Sequence, residues 1–222
     1  MTADARPSPE RLALTTADGL RLRAEWLQAV PEPTSPQGDG RPFPTVVLCH
    51  PHPLHGGNMH ATVIDRLFWA LPNAGIPALR FNFRGVQGSD GRHDHGNRER
   101  FDVLAAVDLA AQRRPDTPVR LIGWSFGADL ALATSHPSLD GWTAIAPPLR
   151  VIEPGDMAAA TDGRPAHLIV GEHDAFRPPS EAGEITADWS SATVTEVAGA
   201  DHFFSIGLDT VIDLVTRDLL PD

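Results

Sequence analysis

A serine lies between two glycines directly after a short apolar segment. Val119–Ile122 is followed by Gly123-Trp124-Ser125-Phe126-Gly127 and then by residues rich in Ala and Leu. This G-x-S-x-G pattern, between a strand and a helix, is typical of a sharp turn that lifts a serine side chain clear of a sheet. Glycines two residues before and after the serine allow the strand and helix to approach closely. Ser125 is therefore a candidate nucleophile, and the alternative is a serine that merely caps a helix.

A serine hydroxyl is a weak nucleophile unless a base accepts its proton and an acid orients that base. In folds with this turn the chain order is Ser, then Asp or Glu, then His. The apolar run His167–Val170 is followed by Asp174, and Thr193–Val197 is followed by His202. This order predicts His202 as the base and Asp174 as the acid.

Two other carboxylates compete with Asp174 for the acid role. Asp201 is the neighbour of His202 in sequence, and adjacent side chains rarely point at each other. Glu172 lies closer to the end of the preceding strand. Asp174 has an alternative use as well, because Asp before a proline segment often forms an Asx turn. We expect Asp174 to be the acid.

A loop rich in histidine follows the apolar run Thr45–Cys49. Pro51 and Pro53 have no backbone N–H, so His52 is the nearest candidate to hold an oxyanion together with the N–H of Phe126. The histidines also give a second interpretation, a zinc metallohydrolase, because their spacing is H-x-H-x-x-H; they are His50, His52 and His55. Against zinc, Leu54 stands where such enzymes keep an aspartate, and the order Ser, Asp, His is left unexplained.

The other polar groups of note are given structural roles. Arg84 is interpreted as an ion-pair anchor, and Cys49 as a small core residue. We expect the remaining histidines at the surface or at helix ends: His60, His93, His95, His136, His167 and His173.

Short apolar runs alternate with helical segments, which predicts an α/β fold with a mostly parallel twisted sheet covered by helices on both faces. An antiparallel hairpin turning at Asp18-Gly19 precedes it, with strands in 11–15 and 20–30, and Pro31 to Pro44 is predicted to be a loop. The parallel strands are predicted in 45–49, 76–83, 119–122, 143–146, 167–170 and 193–197. The helices are predicted in 59–73, 98–113, 126–136, 179–189 and 208–219.

Composition narrows the protein class. The chain has 222 residues, and we expect a single domain spanning 1–222 with residues 1–10 as a flexible N-terminus. The formal net charge of −11 argues against nucleic acid and anionic membranes as partners. One cysteine excludes an intramolecular disulfide, and no signal or membrane-spanning segment is evident, so a cytoplasmic location is expected.

With these motifs in place, the chain resembles the α/β-hydrolase superfamily. More narrowly, it resembles a small lidless bacterial family distantly related to dienelactone hydrolases and serine aminopeptidases. The resemblance rests on Cys49–Gly57 with its HPHP segment, Leu79–Val86 with RFNFRG, and the three segments around Ser125, Asp174 and His202. It implies the same three roles, nucleophile, acid and base. The chain departs from the family pattern in two places. Gln87 replaces a Gly, and this change is expected to stiffen that loop or partly close the site. His55 replaces an aromatic residue.

The expected activity is hydrolysis of carboxylic esters or thioesters of small soluble substrates, with no cofactor. Only Pro147–Ala166 lies where larger relatives insert a lid, so the site is expected to be shallow and open. Its candidate apolar surroundings are Trp124, Phe126, Phe203 and Phe204. A non-catalytic binding protein on the same fold is the other alternative. The sequence does not predict the oligomeric state, and a homodimer is compatible with it.

Overall fold

A computed structural model of the chain describes residues 8–30 and 43–220. Eight strands form one twisted sheet in the order β1-β2-β4-β3-β5-β6-β7-β8. The pairs β1·β2 and β2·β4 are antiparallel, and every other pair is parallel. The strands are β1 (Glu10–Thr15), β2 (Arg21–Leu27), β3 (Thr45–Cys49), β4 (Ala78–Phe81), β5 (Val119–Trp124), β6 (Leu139–Ile145), β7 (Ala166–Gly171) and β8 (Ala192–Val197).

Helices cover both faces of this sheet. They are α1 (Thr62–Asn73), α2 (Glu99–Arg113), α3 (Phe126–Leu132), α4 (Ala158–Thr161), α5 (Pro179–Ile185) and α6 (Leu208–Leu219). One apolar cluster joins α1 and α6 to the sheet, and a second joins α2, α3, α4 and α5 to the opposite face. The predicted fold class is thus confirmed. Among the described residues, no helix has both the length and the apolar character needed to cross a membrane.

Several predicted boundaries were wrong. Strand β6 begins at Leu139 rather than at Thr143, because Arg120 of β5 pairs with Asp140 and so accommodates a charge at the start of a buried strand. Helix α3 ends at Leu132 rather than at His136, since Pro137 disfavours helical backbone in the residue before it.

The two segments expected to be irregular fall largely outside the described part. Of the predicted flexible N-terminus, residues 1–7 lie outside it, and Glu10 already belongs to β1, opposite Trp26. The predicted loop from Pro31 to Pro44 is described only at its last two residues.

A buried charge cluster ties the loop after β4 to the hairpin and to α2. The guanidinium of Arg84 donates to both carboxylate oxygens of Asp102 and also to Asp18. Burial opposes the charge on Arg84, but hydrogen bonds to the two aspartates outweigh burial and raise its pKa. The anchoring role predicted for Arg84 agrees with these contacts.

His50 fixes the loop after β3 to the loop after β4. Its Nε2 accepts a hydrogen bond from the backbone N–H of Phe83 at 3.1 Å, so its proton must lie on Nδ1, which donates to the carbonyl of Pro51 at 2.7 Å. The side chain is fully buried, and desolvation lowers its pKa to about 3. His50 is therefore held neutral, as a structural connection between two loops.

This connection predicts a dependence of stability on pH. In the unfolded chain His50 takes up a proton as the pH falls below its ordinary pKa of 6.5, whereas in the folded chain it stays neutral down to about pH 3. Stability is therefore lost as the pH falls through this window. His50→Gln keeps an acceptor for Phe83 N–H but does not titrate. We expect the unfolding free energy of the wild type, measured relative to that of His50→Gln, to fall by about 2 kcal/mol from pH 7 to pH 5.

Urea unfolding of both proteins at the two pH values measures this difference. Buried aspartates act in the opposite direction, since burial raises the pKa of Asp129 to about 6, but this contribution is common to both proteins and cancels. A difference that stays constant with pH would show that His50 titrates in the folded protein as it does in the unfolded chain.

Candidate active site

Ser125 occupies a strained turn between β5 and α3. Its backbone has φ 55° and ψ −120°, a conformation that residues with a side chain rarely adopt. The flanking glycines make the turn sterically feasible: a Cβ at Gly123 would lie 2.1 Å from the carbonyl oxygen of Gly127, and a Cβ at Gly127 would lie 2.3 Å from that of Cys49. The N–H of Ser125 donates to the carbonyl of Ile145 in β6 at 2.9 Å. The serine is therefore held at the carboxyl ends of the central strands.

Three side chains from three loops form one hydrogen-bonded line. Ser125 Oγ lies 3.0 Å from His202 Nε2, and His202 Nδ1 lies 2.8 Å from Asp174 Oδ2. Only 5% of His202 and 2% of Asp174 are exposed. An imidazole between a hydroxyl and a buried carboxylate is arranged to accept the hydroxyl proton and to be stabilised once it carries that proton.

Asp174 has both of the uses considered from the sequence. Its Oδ1 accepts hydrogen bonds from the backbone N–H groups of Phe176 and Arg177, which is an Asx turn, while its Oδ2 faces His202. The turn therefore fixes the carboxylate that orients the imidazole.

The competing carboxylates are occupied elsewhere. Glu172 accepts from the N–H of Gly199 at 2.7 Å, and Asp201 accepts from the N–H groups of Phe203 and Ser205. The loops after β7 and β8 also touch directly, because a Cβ at Gly171 would lie 2.5 Å from the carbonyl oxygen of Ala200. This close approach brings Asp174 within reach of His202.

The two residues predicted to supply the oxyanion donors lie in the same pocket as Ser125. His52 and Phe126 both line the pocket that contains Ser125. Within the described part of the chain, the backbone N–H of neither residue donates to a protein acceptor. Their rings are in contact, with centroids 5.1 Å apart. Both N–H groups are therefore free to bind a substrate oxygen.

The histidines around His52 are arranged differently from the zinc interpretation. His50 uses both ring nitrogens to bind the backbone, so it has no lone pair free for a metal. No group of three or more His, Cys, Asp or Glu side chains among the described residues is placed to hold a metal ion. The geometry gives the zinc alternative no support.

The expectation that His93 lies at the surface was wrong. Its side chain is 6% exposed and stands against His52 and Phe126, at centroid distances of 4.9 and 5.3 Å. His93 Nδ1 lies 2.9 Å from Glu99 Oε1, but neither ring nitrogen makes an aligned hydrogen bond. Desolvation, followed by repulsion from His93 and other neighbouring imidazoles, lowers the pKa of His52. This lowered pKa favours the neutral form of His52, which lines the same pocket as Ser125.

A pocket of about 520 Å³ opens from Ser125 to solvent, and its walls are mostly apolar. Of the predicted aromatic surroundings, Trp124, Phe126 and Phe203 line it, whereas Phe204 is buried in the core beneath. Sequence reasoning missed Phe176 and Arg150, which also line the pocket. Their positions in the sequence could have revealed both residues, because Phe176 lies a few residues after the end of β7 and Arg150 a few residues after the end of β6.

The two departures from the family pattern have different outcomes. Gln87 has φ 36°, a left-handed backbone that glycine adopts without strain, and it does not line the Ser125 pocket. Of the two effects considered for Gln87, this position gives no support to partial closure of the site, and a stiffer loop stays a prediction. His55 does line the pocket and stacks against His52 at 4.6 Å. The segment 147–165 holds only a single 3₁₀ turn and the short helix α4, with no inserted lid domain.

Comparison with known proteins agrees with this architecture. The family model described as serine aminopeptidase, S33, matches residues 42–164, more than half of the chain. An uncharacterized protein of Rickettsia prowazekii (strain Madrid E) is 34% identical over 171 residues, which cover 72% of this chain and 72% of that protein.

Two solved structures superpose on nearly the whole chain. An α/β serine hydrolase homologue from Coxiella burnetii has a TM-score of 0.80 and 27% identity, covering 95% of this chain and 97% of its own. An α/β serine hydrolase without a lid, from Xanthomonas campestris, also has a TM-score of 0.80 and 27% identity, covering 97% and 96%. The sequence match over more than half of the chain and the structural match over almost all of it identify this protein as a member of the serine aminopeptidase S33 family of α/β hydrolases.

Proposed function

We propose that this protein is a serine hydrolase that cleaves carboxylic esters or thioesters of small substrates through an acyl-Ser125 intermediate. The observation that carries the proposal is the line of hydrogen bonds from Ser125 Oγ through His202 to Asp174, at 3.0 and 2.8 Å. The strained backbone at Ser125 supports it, because such strain in a folded protein is commonly found at active sites.

In the acylation step, Ser125 Oγ attacks the substrate carbonyl carbon while His202 Nε2 accepts the hydroxyl proton. Asp174 Oδ2 holds His202 in the tautomer that leaves Nε2 free to act as the base, and it stabilises the imidazolium that forms. The imidazolium then gives its proton to the departing alcohol or thiol. Water repeats the sequence in the second step, with His202 as base, and releases the acid from Ser125.

The charge that develops on the carbonyl oxygen needs fixed donors. We assign this role to the backbone N–H groups of Phe126 and His52, because both residues line the pocket and neither N–H donates to a protein acceptor among the described residues. The connection from His50 to Phe83 and Pro51 holds the His52 segment rigid, which is what a preorganised donor requires.

The pocket favours esters over the free N-termini of peptides. An aminopeptidase must neutralise the ammonium group of its substrate, and a carboxylate near the nucleophile serves that need. The residues that line the Ser125 pocket include no Asp or Glu, and they include the cation Arg150. Asp174 lies behind His202 and is already engaged by it. A substrate ammonium would therefore meet repulsion without compensation.

The first test is covalent labelling with a fluorophosphonate probe, which reacts with activated serines. We expect the wild type to be labelled and Ser125→Ala to remain unlabelled. Ser135→Ala is the matched control, because Ser135 is an exposed serine whose hydroxyl contacts Asp162 outside the pocket. Equal labelling of wild type and Ser125→Ala, or no labelling of either, would refute the proposed nucleophile.

The second test compares two aspartates. Asp174→Asn presents an amide N–H to His202 Nδ1 and stabilises the wrong tautomer, so we expect kcat for a short-chain ester to fall by up to ~10⁴-fold with the fold retained. Asp201→Asn changes a side chain that contacts the backbone of its own turn and should have a mild effect. Circular dichroism checks folding of both variants. Severe loss in Asp201→Asn with a nearly normal Asp174→Asn would reverse the assignment of the acid.

A further inference from the structure

Arg150 brings a positive charge into the Ser125 pocket. Of the described residues that line this pocket, it is the one Arg or Lys, and three histidines line the pocket with it. Its guanidinium carbon lies 5.4 Å from the centre of the Phe176 ring. That ring in turn packs on His202, with centroids 4.3 Å apart. The Phe176 ring therefore contacts both the guanidinium of Arg150 and the imidazole of His202, which is proposed to act as the base.

The backbone that presents Arg150 is fixed by a buried carboxylate. Asp129, on the helix that follows Ser125, accepts hydrogen bonds from the N–H groups of Leu149, Arg150 and Val151 at 2.9 to 3.0 Å. Asp129 is fully buried, so this attachment is shielded from water. Helix α3 and the loop after β6 are thus held together, and the backbone of Arg150 keeps a constant position relative to Ser125.

The guanidinium is not held in an ion pair within the described part of the chain. Arg177, the sequence neighbour of Phe176, is by contrast committed to the protein, because its guanidinium donates to the carbonyl of Pro148 and to Glu181. No carboxylate among the described residues forms an ion pair with Arg150; its guanidinium lies over the Phe176 ring, and from beyond ion-pair distance its charge favours the ionised form of the buried Asp129. A cation stacked on an aromatic face is held in place while its N–H groups remain available to a ligand.

We propose that Arg150 binds a carboxylate on the substrate, so that the preferred esters or thioesters carry one negative charge on the acyl group or on the leaving group. This inference rests on the proposed function and names its substrate class. A single cation matches a monoanion. A dianionic phosphate would leave its second charge without a guanidinium or ammonium partner, because Arg150 is the one Arg or Lys among the described residues that line the pocket. Phe176 and Phe203, which are 42% and 57% exposed, supply apolar surface for the chain between the two functional groups.

The test measures the ratio of kcat/KM for an anionic ester to that for its neutral analogue. For the acyl side the pair is mono-4-nitrophenyl adipate and 4-nitrophenyl hexanoate, and for the leaving-group side it is 4-acetoxybenzoate and phenyl acetate. In Arg150→Gln we expect the ratio to fall about fivefold or more for at least one pair, since a charge-assisted hydrogen bond is lost. The pair that responds tells which side of the ester carries the carboxylate.

Controls separate a local contact from a general effect of charge. Arg100→Gln removes the same charge from an exposed site on α2 outside the pocket and should leave both ratios unchanged. Arg150→Lys, which keeps the charge, should restore part of the ratio. Added salt should lower the wild-type ratio towards that of Arg150→Gln, because the guanidinium is exposed to screening. Unchanged ratios for both pairs in Arg150→Gln would overturn the inference.

A binding measurement separates this inference from the proposed reaction. Ser125→Ala and the double variant Ser125→Ala/Arg150→Gln are titrated with mono-4-nitrophenyl adipate in a calorimeter. Weaker binding by the double variant would support the carboxylate subsite, whether or not the wild type hydrolyses any ester. A lack of hydrolysis would count against the proposed reaction and not against the subsite. Equal binding by the two variants, with hydrolysis of neutral esters that depends on Ser125, would leave the reaction standing and refute the subsite.

Discussion

The left-handed backbone at Ser125 is the constraint on which the rest of the site depends. Such a conformation costs about 1 to 3 kcal/mol for a residue with a side chain and persists only where its surroundings enforce it. Here the surroundings are backbone atoms, because Gly123 and Gly127 bring β5, α3 and the end of β3 closer together than any Cβ would permit. The N–H of Ser125 is bound to β6 at the same time. Strain at one residue is thus balanced by the packing of three strands and a helix.

Buried polar side chains hold the loops around Ser125 in place through hydrogen bonds. Asp129 binds the loop after β6 through three N–H groups, His50 binds the loop after β3 to that after β4, and the Asx turn of Asp174 shapes the loop after β7. Each of these groups would be costly to bury without partners, and each is satisfied by backbone. Because the partners are backbone atoms, the loops are held in place while their outward side chains are left free to contact a substrate.

The charge distribution of the pocket then distinguishes among the reactions that the fold allows. The family takes its description from a serine aminopeptidase, and the fold alone does not choose among acyl substrates. The pocket side chains do bear on that choice, because an unpaired Arg150 and the absence of Asp or Glu from the lining oppose an ammonium group and favour an anionic one. The lowered pKa of His52 disfavours a second positive charge at that residue. One guanidinium in a mostly apolar pocket is the basis of the proposed preference for a singly charged substrate.

The sequence by itself determined the fold class, and it predicted Ser125 and His202 as nucleophile and base with Asp174 as the preferred of three candidate acids. Alternating apolar runs and helical segments predict a parallel sheet. The glycines around Ser125 predict the sharp turn, because its backbone conformation depends on only five consecutive residues. Tertiary structure decided how the carboxylates are used, with Asp174 on His202 and Glu172 and Asp201 on backbone N–H groups. It also decided the burial of His93 and the placement of Arg150 and Phe176 at the pocket. Those outcomes depend on distances between loops from different strands, whereas periodicity and turn chemistry describe only neighbours along the chain.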